Sequence, residues 1–230
     1  MATIQYPNTK TVYIDIHTHH EKSQLDLVQV RSVNSVLTES SDFLENHDQR
    51  YFSLGIHPWS AETWNEADLQ FLEKNLSQSN VLFLGEIGLD KACRVSFQKQ
   101  ILLFELQLEL AANFSKPVIL HMVRSAAETI AFKRRFLEIP TWIAHGYRGG
   151  PQGALQLLNA GFYLSFGPRF NAETIKACPF NRMFLETDTD LIPIETVYEH
   201  VAKIKGCEKS FLMQQLALNF EVVVKKKPLS

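Results

Sequence analysis

Eight short apolar runs recur along this chain, too evenly hydrophobic to be strands of a sheet with one wet face. They are Val12 to His17, Ser32 to Leu37, Tyr51 to His57, Val81 to Leu89, Pro117 to Met122, Thr141 to His145, Phe162 to Phe166 and Met183 to Glu186. Several are separated by segments with apolar residues three and four apart, clearest in Phe97 to Phe114, where Ile101, Phe104, Leu108 and Ala111 share a stripe. Strands covered on both faces and alternating with amphipathic helices imply parallel βαβ units. Eight of them favour an α/β fold of the TIM-type (β/α)8 barrel kind over an open doubly wound sheet. No Ser/Gly-rich linker, repeat or low-complexity tract divides residues 1–230, so a single domain is expected.

With 45% hydrophobic residues, 230 residues can bury a substantial core. The formal net charge of -2 provides no global positive field to hold a nucleic acid, so any such contact must be local. Cys93, Cys178 and Cys207 are odd in number and lack a C-x-x-C spacing, which suits reduced thiols in a cytoplasmic protein. Met1 to Thr11 is polar, and no segment is apolar for long enough to span a bilayer. A compact, membrane-free monomer is the expectation, with Lys225 to Lys227 as a solvated end.

In a parallel barrel the C-terminal strand ends form one face, and chemistry is located there. Six of the runs end in a residue type that binds metals. In Tyr13-Ile14-Asp15-Ile16-His17-Thr18-His19, alternation puts Asp15, His17 and His19 on one side and Ile14 and Ile16 on the other. Two imidazoles at i and i+2 can converge on one ion. The third run ends in Gly55-Ile56-His57-Pro58, where His57 reads equally as a backbone-bonded turn histidine or a substrate contact. The fourth gives Gly85-Glu86-Ile87-Gly88-Leu89-Asp90, and a carboxylate embedded in such apolar sequence needs a cation or ionic partner. His121, His145 and the pair Glu186 and Asp188 follow the fifth, sixth and eighth runs. Histidines and carboxylates on one rim, without cysteine, suit Zn, Mn or Mg. Glu86, on a central strand, is placed to bridge two such divalent metal ions, which would activate a water for hydrolysis.

Taken in order, Asp15-x-His17-x-His19, Gly55-Ile56-His57-Pro58, Gly85-Glu86-Ile87-Gly88-Leu89-Asp90, Pro117-Val118 through His121-x-x-Arg124, His145-Gly146 and Leu185-Glu186-Thr187-Asp188 resemble the motifs of the TatD family. Asn219-Phe220 resembles its closing helix, so the likeness covers nearly the whole chain. The resemblance implies a metal-dependent deoxyribonuclease on a barrel of the amidohydrolase superfamily. His17 and His19 would bind one metal with Asp188, and His121 and His145 the other, with Glu86 bridging. Asp188 would also orient or deprotonate the attacking water, and Arg124 would meet a phosphate oxygen.

Departures from the family pattern are His20-Glu21 after the second histidine, Arg148 where a small polar residue is usual, and Thr189-Asp190 after Asp188. Arg148 would add a phosphate contact. The first connections are short, with about a dozen residues expected between His19 and the second strand, near the lower limit for a helical crossover. The expected substrate is DNA, single-stranded or with frayed ends. A small-molecule amidohydrolase or lactonase on the same barrel, and a metal-binding partner protein without turnover, are the alternatives. Arg124, Arg148 and Arg169 favour phosphate, and Trp59, Trp64, Tyr147 and Phe170 either stack bases or cover the barrel mouth.

Overall fold

The computed structural model describes residues 12–21, 26–37 and 51–225; Met1 to Thr11, Lys226 and Lys227 lie outside the described residues. The strands are β1 (Tyr13–Thr18), β2 (Leu27–Asn34), β3 (Tyr51–Gly55), β4 (Val81–Asp90), β5 (Val118–Val123), β6 (Trp142–Ala144), β7 (Tyr163–Phe166) and β8 (Met183–Leu185). They lie side by side in chain order, each parallel to the next. The last strand returns to the first through Asp188, just beyond β8. Its N–H donates to the carbonyl of His17 at 3.0 Å, and its own carbonyl accepts from the N–H of His19 at 3.0 Å. Thr18 and Asp188 thus form a parallel bridge, and the eight strands make a nearly closed barrel.

Deeper in that seam β8 forms no ladder with β1, and a side chain takes its place. The buried hydroxyl of Tyr198 accepts from the N–H of Ile14 at 3.0 Å and donates to the carbonyl of Ile14 at 3.1 Å. Burial drives this phenol above its ordinary range, so it stays protonated and able to donate. Tyr198→Phe would leave two buried backbone groups without a partner, which costs about 2 kcal/mol. Urea denaturation measures this, and a change of only a few tenths would mean that the seam closes without the hydroxyl.

Among the described residues the helices are α1 (Glu66–Leu76), α2 (Phe97–Asn113), α3 (Ala126–Arg135), α4 (Pro151–Asn159), α5 (Ala172–Ala177), α6 (Ile194–Lys205) and α7 (Lys209–Lys225). The start of α1 is set by a capping box in which Asn65 and Asp68 bond each other's backbone. Helix α2 buries Phe104, Leu108 and Ala111 as its spacing predicts, with Ile101 at the margin. The same buried face carries two glutamines. Gln107 accepts from the N–H of Ile56 at 2.7 Å and donates to its carbonyl at 3.0 Å; Gln100 does the same for Asp90 at 2.7 and 3.0 Å. Two turns of one helix therefore hold the backbone at the ends of two strands that carry the site. In α7, buried Asn219 donates to the carbonyls of Phe180 and Met183, which anchors the start of β8.

The second strand differs from expectation. It runs Leu27–Asn34, and Ser35–Leu37 is a short 3-10 turn rather than its continuation. Gln29, Arg31 and Ser32 interrupt its apolar run, because several β2 residues are only partly covered. Residues 19–26 separate β1 from β2, fewer than the dozen expected. Among the described residues, no helix is long and apolar enough to cross a membrane.

Candidate metal centre

The strand-end residues meet around one carboxylate. Glu86 sits on β4, 7% exposed, and its two oxygens face different neighbours. Oε1 lies 2.7 Å from His121 Nδ1, 2.7 Å from His145 Nε2 and 3.2 Å from His57 Nε2. Oε2 lies 3.3 Å from His17 Nε2 and 3.7 Å from His19 Nε2. Asp188 closes the far side, its Oδ1 3.8 Å from His17 Nε2 and 3.6 Å from His19 Nε2. All six residues expected to bind metal are thus brought together. Two triads among them could hold an ion, His17 with His19 and Glu86, and His17 with His145 and Asp188; a third cluster brings His57, from outside the six, together with Glu86 and His121.

Local sequence explains the convergence. Alternation along β1 points Asp15 and His17 to the same side, and both are fully buried. Asp15 accepts from the N–H of Thr187 at 3.0 Å and from its hydroxyl at 2.7 Å, so it positions the segment that carries Asp188. Pro58 ends the third strand region and turns the chain, leaving His57 as a cap whose Nδ1 accepts from the N–H of Trp59 at 3.2 Å. That bond puts the proton of a neutral imidazole on Nε2, so His57 donates to Glu86 and has no lone pair to offer an ion there. His57 is a turn histidine and a site contact at once.

Electrostatics favour a cation. Burial alone would raise Glu86, but the charge of His145 and the bonds from His121 and His145 outweigh it and hold Glu86 well below the usual carboxylate range. Burial likewise pulls His145 down, and Glu86 with Glu186 lifts it well above an ordinary imidazole. His17 is lowered, first by burial and then by the neighbouring His145. Both ring nitrogens of His17 and Oε2 of Glu186 are buried without a hydrogen-bond partner. Orphaned polar atoms of this kind are costly unless something charged meets them, and a nitrogen and oxygen donor set without sulfur fits Zn, Mn or Mg.

Above this floor lies a cavity of about 1400 Å³ whose walls include Arg31, Trp59, Lys91, Arg124, Tyr147 and Arg148. Arg124 and Arg148 are exposed at its rim. Arg169, also expected to favour phosphate, instead pairs with Asp190 at 2.8 Å and does not line the cavity. Lys91 is paired with Glu128 at 2.5 Å. Of the four aromatic residues considered, Trp59 and Tyr147 line the cavity; Trp64 and Phe170 pack against the core. His20 turns away from the cluster to bond the carbonyl of Thr189 at 3.0 Å. Two acidic residues to which the sequence reading gave no role belong to the site. Glu186 lies 3.2 Å from His145 Nδ1, and Asp90 lies 3.1 Å from His121 Nε2. Both stand in the strand-end motifs, where a second carboxylate beside the first was the available signal.

Comparison with known proteins identifies the fold and the family. A family model described as TatD related DNase matches residues 14–225. The uncharacterized metal-dependent hydrolase YjjV of Escherichia coli K12 is 29% identical over 210 residues, covering 79% of this chain and 81% of that protein. The 3'-5' ssDNA/RNA exonuclease TatD of Edwardsiella piscicida is 33% identical over 166 residues, covering 66% and 64%. The crystal structure of E. coli YjjV superposes with a TM-score of 0.79 at 22% identity, covering 93% of this chain and 98% of that one, a likeness of fold. With the motifs in order, the barrel formed and the family model spanning nearly every described residue, this chain belongs to the TatD related DNase family.

Proposed function

We propose that this chain is an exonuclease-like deoxyribonuclease that hydrolyses phosphodiester bonds at single-stranded or frayed DNA ends, using two divalent cations. The observation that carries this reading is the division of Glu86, whose Oε1 faces His121 and His145 while its Oε2 faces His17 and His19. In this assignment Glu86 would be shared by the two ions, His17, His19 and Asp188 would hold one, and His121 and His145 would hold the other. Bound there, such ions supply an activated water and neutralise charge building up on phosphoryl oxygens. Asp188, with its carboxylate one-fifth exposed, orients the attacking water and accepts its proton. His57 donates toward the bridging carboxylate. Arg124 and Arg148 grip phosphate oxygens at the rim, Arg124 from a backbone with φ 53° that swings it off the end of β5.

The cavity supports a polymer end over a small metabolite, since its roughly 1400 Å³ exceeds the usual range for compact ligands. A relative named for 3'-5' ssDNA/RNA exonuclease activity points the same way. We further assign the protein as a cytoplasmic, single-domain monomer. End-labelled single-stranded DNA, incubated with chelator-stripped protein to which Mg, Mn or Zn is restored, should shorten only with metal. Arg124→Ala should raise KM about 10-fold or more, equivalent to about 1.4 kcal/mol, with a smaller change in kcat. No shortening by protein carrying two bound metals would transfer the assignment to a carbonyl substrate, as for an amidohydrolase or lactonase.

A further inference from the structure

Asp90 ends β4 and is 4% exposed, yet the proposed reaction gives it no role. Its carboxylate is fully engaged. Oδ1 accepts from the N–H of Ala92 at 2.7 Å and of Cys93 at 3.1 Å, which fixes the turn that leaves the strand. Oδ2 accepts from the indole N–H of Trp59 at 2.8 Å and faces His121 Nε2 at 3.1 Å. Gln100 holds the N–H and the carbonyl of the same residue from α2, so the carboxylate has little freedom to turn. The other ring nitrogen of His121, Nδ1, points at Glu86 Oε1 from 2.7 Å.

We propose that Asp90 is a positioning residue that holds His121 as the Nε2–H tautomer, so that its Nδ1 lone pair is delivered to the cation beside Glu86. This rests on the reading of His121 as a metal ligand. The chemistry is that of an acceptor-only group: an ionised carboxylate has no proton to give, so the imidazole keeps a proton on Nε2 for Asp90, and a cation arriving beside Glu86 displaces the proton that Nδ1 otherwise donates to Oε1. The Trp59 N–H is a donor that cannot become an acceptor, so it holds Oδ2 in place and leaves it free to receive from His121. Trp59 is 59% exposed at the cavity wall, with its ring 5.8 Å from that of His121. The carboxylate therefore ties a rim aromatic to a candidate ligand in the floor.

Asp90→Asn separates this role from a structural one. The two backbone N–H donors of Ala92 and Cys93 require the amide oxygen on their side, so the amide cannot flip and its NH2 must face Trp59 and His121. It then donates to His121 Nε2 and drives the proton to Nδ1, the nitrogen that should bind metal. Two-bond 15N–1H correlation spectra of the full chain loaded with diamagnetic Zn should show His121 with Nε2–H and a metal-bound Nδ1 in the parent protein, and with its proton on Nδ1 in the variant. Calorimetric titration with Mn should show affinity at one position weakened about 10–100-fold, with circular dichroism unchanged. A Zn-loaded parent His121 protonated on Nδ1, or a variant with the parental tautomer and Mn affinity, overturns the proposal. Should the variant fail to fold, the tautomer of the parent still decides. Neither readout involves nucleic acid, so absence of DNA cleavage would leave this result standing and would count only against the substrate.

Discussion

Glutamine in place of Glu86 is expected to lower kcat/KM on single-stranded DNA by at least about 10³-fold, equivalent to about 4 kcal/mol of transition-state stabilisation. Five imidazole nitrogens lie within 3.7 Å of this one carboxylate. Glutamine keeps the volume and removes the charge, leaving one oxygen and one NH2 where two oxygens stood. Whichever way the amide turns, one group of histidines faces hydrogens, and the shared contact between two cations is lost. Metal content by mass spectrometry should fall together with activity. Hydrolysis within 10-fold of the parent, with both metals retained, would remove Glu86 from the centre of the mechanism.

The largest expected effect on folding comes from a residue without a side chain. Gly88 pairs with His121 across β4 and β5, and a Cβ built on it would lie 2.0 Å from the carbonyl oxygen of His121 at a backbone φ of +143°. Gly88→Ala must drive the two strands apart at the point where both carry site residues. We expect a loss above about 4 kcal/mol, enough to abolish soluble expression of a typical domain. Gly206 is the control, since its φ of +63° is also left-handed but nothing lies within 4 Å of an added Cβ. Gly206→Ala should cost only about 1–2 kcal/mol. Equal melting temperatures for the two variants would show that left-handed backbone, and not the close approach of strands, is what Gly88 provides.

Much of the site was legible because each ligand type closes an apolar run, as in Val118-Ile119-Leu120-His121 and Trp142-Ile143-Ala144-His145. A buried strand announces its own end when the first polar residue appears, and a parallel barrel gathers those ends on one face. The second strand broke that rule. With Gln29 and Arg31 inside it, β2 has no long apolar run to announce it, and the expected start at Ser32 fell five residues late. Side-chain partnerships were less legible still. That Gln100 holds Asp90, or that Tyr198 bonds Ile14 across 184 positions, depends on which helix face meets which strand. Periodicity reports that a face is buried and says nothing of what lies opposite. The same limit separates Arg124, exposed at the cavity wall, from Arg169, neutralised by Asp190.

Asp188 places its carboxylate 3.8 Å from His17 while its own backbone joins β8 to β1. A cation held between those two side chains would therefore act as a clasp between the first and last staves of the barrel. Metal loading and ring closure become one equilibrium, and each mole of ion bound would resist parting of the seam. Amide exchange at His19 and Asp188, the two N–H groups that stitch this seam, should slow on metal addition, while the ladder between β4 and β5 stays at its own rate.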